Sequence, residues 1–291
     1  VSWSQIIVAK GKRFSSIAIS PENANIIIVT GDSGDLYVTS NGGTTWSNKG
    51  FNSTWASVSS SNDGTKHAAI INGGFIFQSN NSGNNWIHLP SLYIYKSIAM
   101  SSDGSIQLLS YNNSIYKSIN FGKTWTNLYN FAGISGLNMS NNGQYIICTN
   151  ISNINISNDS GVTWTTTPTL GSKLNPGISS TGKYITTPVV NQQLLVSSDF
   201  GVTWVGKESA QNWSNVAISS NGLLQIAVID TIGTNVYITH NAWTTSYALS
   251  PQGSASGTIV TGKYNTCAIS DEGQYMIIAG STCLLVSNSF G

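Results

Sequence analysis

The side chains best suited to acid–base chemistry are four carboxylates: Asp32 and Asp35 in the stretch GDSGD, then Glu208 and Asp230. Two carboxylates held at glycosidase separation would form a catalytic pair. Glu208 and Asp230 fall on adjacent loops in the repeat scheme below, and are the pair to consider. Loop acids are more commonly just solvated, so no catalytic residue is assigned and the chain is expected not to be an enzyme. Metal chemistry has less support still. Cys148, Cys267 and Cys283 each sit in an apolar strand-like run (IIC, TCAI, TCLLV). Their odd count and wide spacing fit small core residues better than a disulfide framework or a zinc site. His67, His88 and His240 are scattered. No metal or cofactor is expected.

Composition narrows the classes further. Only 8% of the 291 residues are charged, against about 25% in a typical domain. Net charge is +1, and Arg13 is the single arginine. The one basic run, KGKR at Lys10 to Arg13, reads as a solvated turn and not as the basic stripe that phosphate binding requires. No apolar run reaches the ~20 residues of a membrane helix, so neither nucleic-acid binding nor membrane insertion is expected. Neither an initiating Met nor a leader-like N-terminus is present, which suggests a removed leader or a domain cut from a longer protein. With 40% apolar residues, 9 Trp, 12 Tyr and 8 Phe, the chain has too much to bury to be disordered.

The elements that must position these side chains announce themselves by repetition. An eight-residue pattern, Ser-x-Asp-x-Gly-x-Thr-Trp, appears as TSNGGTTW ending at Trp46, SNNSGNNW at Trp86 and SINFGKTW at Trp125. It continues as SNDSGVTW at Trp164 and SSDFGVTW at Trp204. A sixth copy, THNAWTTS, is degraded and has Ser246 in the Trp position. The seventh is split between the ends: SNSFG at Ser287 to Gly291 is completed by VSW at Val1 to Trp3. Steps from Trp3 to Ser246 are 39 to 43 residues, and the step round the ends is 48. A second motif precedes each Trp by about 22 residues, as in SSDG at Ser101 to Gly104 and SDEG at Ser270 to Gly273. Short apolar or alternating runs flank both motifs, giving four short strands per unit with Gly, Asn and Asp turns between them. Two sandwiches, one per half, would leave the even spacing unexplained.

This pattern resembles the Asp-box, or BNR repeat, of sialidase-like β-propellers, and the resemblance covers all seven units. It implies an all-β, seven-bladed propeller formed by residues 1–291 as a single domain. Each blade would have four antiparallel strands, with residues 1–10 completing the last blade and closing the ring. In the family the Asp-box is the hairpin between third and fourth strands, and its acid and hydroxyl bond the turn amides. Here the acid is Asp only at Asp159 and Asp199; Asn41, Asn81, Asn120 and Asn241 replace it, and Ser289 does so in the split copy. Asn still offers an acceptor, so these motifs are read as scaffold. Sialidase activity implies an arginine triad gripping the substrate carboxylate, which a chain with one Arg cannot supply.

In such a ring both turn motifs share one face, and the inter-blade connections share the other. The residues entering the inner strands on that second face are Phe14, Trp55, Tyr95, Ile134, Lys173, Trp213 and Tyr264. Five are aromatic and are expected either to form a collar that stacks on sugar rings or to fill gaps between blades. Together with Asp32, Asp35, Glu208 and Asp230 they make the candidate ligand-binding set. The preferred reading is a non-catalytic, lectin-like carbohydrate-binding module, with glycans or a surface protein as partners. The alternative is a structural or interaction propeller of an extracellular or virion assembly; a glycoside hydrolase ranks third. The photosystem-assembly branch of such propellers is a further reading, without its expected basic surface. Low charge and abundant Ser, Thr and Asn suggest an exported or surface location.

Overall fold

A computed structural model describes residues 3–6, 13–31, 34–90, 94–169, 171, 174–231, 236–249, 263–281 and 283–288. All the regular structure among them is antiparallel β, arranged in six hydrogen-bonded sheets. Five sheets have four strands. Four of these are laid out in chain order from an inner to an outer strand, for example Tyr95–Met100, Gln107–Tyr111, Ser114–Ser118 and Thr126–Asn130, and the fifth takes its outer strand, Ser4–Ile6, from the other end of the chain. Second strands such as Ile146–Asn150 are buried at every residue, while the outer strand Thr126–Asn130 is mostly exposed. A strand covered on both faces needs apolar residues at consecutive positions, which is why IIC and MIIA lack alternation.

The sixth sheet has seven strands. Its central strand, Val205–Ile218, is 14 residues long and serves two units. The first part pairs with Val190–Ser197, and the part from Trp213 onward pairs with Gln225–Ile229. No Gly or Pro interrupts residues 207–218, so the chain passes from one unit to the next without leaving β geometry. It bends instead where the register with Val190–Ser197 shifts, and Glu208 there has φ of 62°.

The inner strands contact one another in a closed cycle, the last of them (Tyr264–Ile269) against the first (Phe14–Ile19). Seven apolar layers lie between consecutive units among the described residues, one of them joining Phe14, Ile17 and Ile27 to Ile277 and Leu284. On the turn face the cycle is closed by backbone hydrogen bonds. The amides of Glu22, Asn62, Ser102, Asn141, Ser180 and Ser220 each donate to the carbonyl of the following unit, and Asp271 donates to Pro21. Pro21 holds the donor position in its own unit but lacks an N–H; the neighbouring Glu22 amide donates in its place, to Asn62 at 3.0 Å. At the ends, Ser4, Gln5 and Ile6 pair with Val286, Leu285 and Leu284, as the split motif anticipates. Ile7 to Lys10 lie outside the described residues.

Both turn motifs owe their shape to local hydrogen bonds. In the copy at Ser157, the Ser hydroxyl donates to Asp159 at 2.8 Å and accepts the Gly161 amide at 2.7 Å. Asp159 Oδ1 accepts the Thr163 amide at 2.8 Å, and Trp164 Nε1 donates to the Gly161 carbonyl at 3.1 Å. Asn41 and Asn81 make the equivalent amide bonds at 2.9 Å, so the turn survives loss of the charge. The sixth copy solves the problem differently. Trp243 stands in the Gly position with φ of 64° and is buried, its Nε1 donating to Gln225 Oε1 at 2.6 Å.

Candidate functional site

The five entry aromatics lie in the layers between sheets. Trp213 is 0% exposed, Tyr264 1%, Phe14 and Trp55 2%, and Tyr95 6%. The cause is a β-bulge one residue into the strand, where the register shifts between Phe14 and Ser16, Trp55 and Ser57, Tyr95 and Ser97, Trp213 and Asn215, and Tyr264 and Thr266. An extra residue flips the alternation, so Phe14 packs with Ile17 and Ile19, and Tyr95 with Ile98 and Met100. The expected sugar-stacking collar of Phe14, Trp55, Tyr95, Trp213 and Tyr264 is therefore corrected: these rings fill the space between units. Ile134 is buried in the same way. Lys173 lies outside the described residues.

The described acids each have a partner of their own. Asp32 lies outside the described residues. The Glu208 carboxylate accepts the hydroxyl of Ser246, the residue that replaces Trp in the degraded motif. Asp230 faces Lys263 at 3.8 Å, with both side chains partly exposed. Each of the two thus has a different partner, and no hydrogen bond joins them. Asp35 is different. Its Oδ2 accepts from Asn48 Nδ2 at 2.7 Å, and its Oδ1 accepts the Asn52 amide at 3.1 Å. The carboxylate so pins the connection between the first two units. Burial, and then the Asp35 charge, raise the neighbouring Tyr37 hydroxyl above its ordinary pKa.

What Asp35 pins is Phe51, the residue before Asn52. Phe51 has φ of 67°, unusual for a bulky side chain, and is 37% exposed. Its ring lies 4.7 Å from that of Phe77 and 6.3 Å from that of Trp55. Phe75, also 37% exposed, stands 6.5 Å from Phe77 and 5.5 Å from the exposed His88. Phe51, Phe75 and His88 therefore form one accessible aromatic patch on the connection face, bordered by Asp35, Asn48 and Asn52. Phe51 comes from one unit's exit and Phe75 from the next unit's hairpin, so neither is among the residues that enter the inner strands. The local signals were a Phe wedged into KGFN and another directly after the NGG turn.

Two hollows lie nearer the axis. A cavity of about 260 Å³ runs between the inner strands, lined by Ser16, Ser57, Ser97, Asn138, Asn215 and Thr266 among others. Several of its polar groups tie neighbouring units together. The Val58 amide donates to Ser16 Oγ at 3.2 Å, and Asn138 Nδ2 donates to the Pro176 carbonyl at 3.0 Å. A wider hollow of about 910 Å³ on the turn face includes Glu22, Asp271 and Glu272. No group of three or more His, Cys, Asp or Glu among the described residues could hold a metal ion. All three cysteines are free and buried.

No family model matches the chain, and no curated protein matches it. Solved structures do. YCF48 from Cyanidioschyzon merolae superposes with a TM-score of 0.76 at 15% identity, covering 99% of each chain. A structure of YCF48 bound to D1 peptide gives 0.77 at 14% identity, covering 100% of this chain and 98% of the other. A GH74 xyloglucanase from Xanthomonas campestris gives 0.78 at 11% identity, covering 99% of this chain and 53% of that one. All are β-propellers, and at these identities the likeness is one of fold. The chain has the β-propeller fold.

Proposed function

We propose that this chain is a seven-bladed, non-catalytic interaction propeller that binds a segment of a partner protein through the patch at Phe51, Phe75 and His88. The observation that carries the reading is the exposure of these rings beside a loop fixed by Asp35, while the aromatics nearer the axis are buried. Partly exposed aromatics at a rigid site are the usual anchors of protein recognition. A propeller of similar fold accepts a peptide in the YCF48–D1 structure, which makes a peptide the first ligand class to test. The cyclic contacts and the seven motif copies support reading the ring as seven-bladed, and the hydrogen-bond pattern of the hairpins supports reading them as Asp-boxes. The non-catalytic part of the reading rests on the single arginine, which cannot supply the guanidinium clamp of a sialidase. The charge-poor, hydroxyl-rich composition favours an extracellular or surface setting.

Glycan binding is the second reading, favoured by two accessible Phe rings next to Asn48 and Asn52. One experiment separates them. A displayed peptide library and a glycan array are each probed with the wild-type chain and with Phe51→Ala/Phe75→Ala. The proposal expects enriched peptides whose binding falls at least roughly tenfold in the variant, the loss of one anchor. Glycan hits that depend on the two Phe residues, without peptide enrichment, favour the second reading. Binding that ignores both substitutions refutes the site.

A further inference from the structure

The chain contains four Asn–Gly steps: Asn41–Gly42, Asn72–Gly73, Asn142–Gly143 and Asn221–Gly222. At such a step the glycine nitrogen can attack the asparagine Cγ, since no Cβ on the glycine hinders the approach. The N–Cγ bond forms, the Cγ–Nδ2 bond breaks, and ammonia departs with the proton from the glycine amide. Water then opens the succinimide at one carbonyl or the other, leaving aspartate or isoaspartate. Attack requires an asparagine side chain free to turn and a glycine N–H that is not already engaged.

Three of the four steps meet neither condition. Asn41 Oδ1 accepts the Thr45 amide at 2.9 Å, its Nδ2 donates to the Thr45 hydroxyl at 2.9 Å, and the Gly42 amide donates to Asn25 at 3.0 Å. Asn142 Oδ1 accepts the Ser140 hydroxyl at 2.9 Å and the Gln144 amide at 3.0 Å, and the Gly143 amide donates to Ser140 at 2.9 Å. Asn221 Oδ1 accepts the Ser219 hydroxyl and the Leu223 amide, each at 2.9 Å, and the Gly222 amide donates to Ser219 at 2.9 Å. These asparagines are the acceptors that shape the two turn motifs, so their function in the fold protects them.

Asn72 stands outside both motifs, in the turn between the second and third strands of its unit. It is exposed, and neither its side chain nor the Gly73 amide makes a hydrogen bond among the described residues. Only the Asn72 amide is tied, to Thr54 at 2.7 Å. Gly73 has φ of 138° and open space where a Cβ would stand. We propose that Asn72 is a site of spontaneous deamidation, which the fold exposes to the reaction while shielding the other three steps. The product carboxylate stands three residues from Phe75, at the border of the aromatic patch. The chemistry holds whatever that patch binds.

The test is a tryptic map of the folded protein after incubation at mildly alkaline pH. Each step falls in a separate tryptic peptide, with Asn72 between His67 and Lys96. Conversion at Asn72 is expected to be roughly tenfold or more faster than at the others, because they must break two or more hydrogen bonds first. In the urea-unfolded chain, where all four have the same glycine neighbour, that advantage should collapse. Asn72→Gln should remove the dominant isoaspartate signal from the folded protein. Comparable rates at all four steps in the folded state, or the same preference persisting in urea, would overturn the proposal.

Discussion

His67 opens the second strand of its unit, His67–Ile71, and its side chain is wholly buried. Its ring stacks on Trp86 at 6.1 Å with an interplanar angle of 26°. Neither ring nitrogen has a hydrogen-bond partner among the described residues. Burial therefore disfavours the imidazolium and lowers the pKa from 6.5 to about 4, against the opposing charge of Asp63. The folded value lies below the unfolded one, so the unfolded chain binds more protons between the two. The stability held by neutral His67 is then present above pH 6.5 and lost as pH falls toward 4. The full shift corresponds to about 3 kcal/mol, of which about 2 kcal/mol is lost on going from neutral pH to roughly pH 5. His67→Leu keeps an apolar filler, as Ile27 and Ile146 do at the same position of other units. Urea unfolding of both proteins at the two pH values measures the difference directly. The wild type should lose about 2 kcal/mol more than the variant. Equal losses, or a wild type that gains stability in acid, would refute the assignment of a neutral, desolvated imidazole.

Two further outcomes test the scaffold. Gly201 has φ of 83°, and a Cβ there would collide with Ile156 Cδ1, whereas Gly50 has φ of 77° and nothing within 4 Å. Gly50→Ala should cost about 1 kcal/mol, the strain of a left-handed alanine, and Gly201→Ala clearly more, as read from chemical denaturation; similar costs would mean the contact yields freely. Removal of residues 1–6 uncovers the Leu284–Ser287 strand, whose edge Ser4–Ile6 occupies. The truncated chain should melt at lower temperature and associate with increasing concentration in light scattering, and an unchanged monomeric melt would show that the pairing is dispensable.

The sequence was most legible where structure is local. Each hairpin motif is closed by its own hydrogen bonds within about five residues, so Ser157, Asp159, Gly161 and Trp164 carry the turn wherever they occur. Seven copies at even spacing then call for seven equivalent units, and the split copy anticipates the pairing of Ile6 with Leu284. The candidate site was less legible. Of the described acids singled out, Asp35 borders the patch, and it does so by holding a loop.

What the residues could not reveal in isolation is which way the entry aromatics face. Strict alternation would put Phe14 opposite Ile17; the bulge restores it to the same side, and a bulge is a property of two strands in register. The same holds for the patch. Phe51 and Phe75 come to flank Phe77 only because one unit's exit loop, fastened by Asp35, reaches the next unit's hairpin. Repetition along the chain is enough to specify the ring and its turns, since both rest on near-neighbour bonds. Which side chains reach solvent together depends on register and on contacts between units, and those exist only once the tertiary structure has formed.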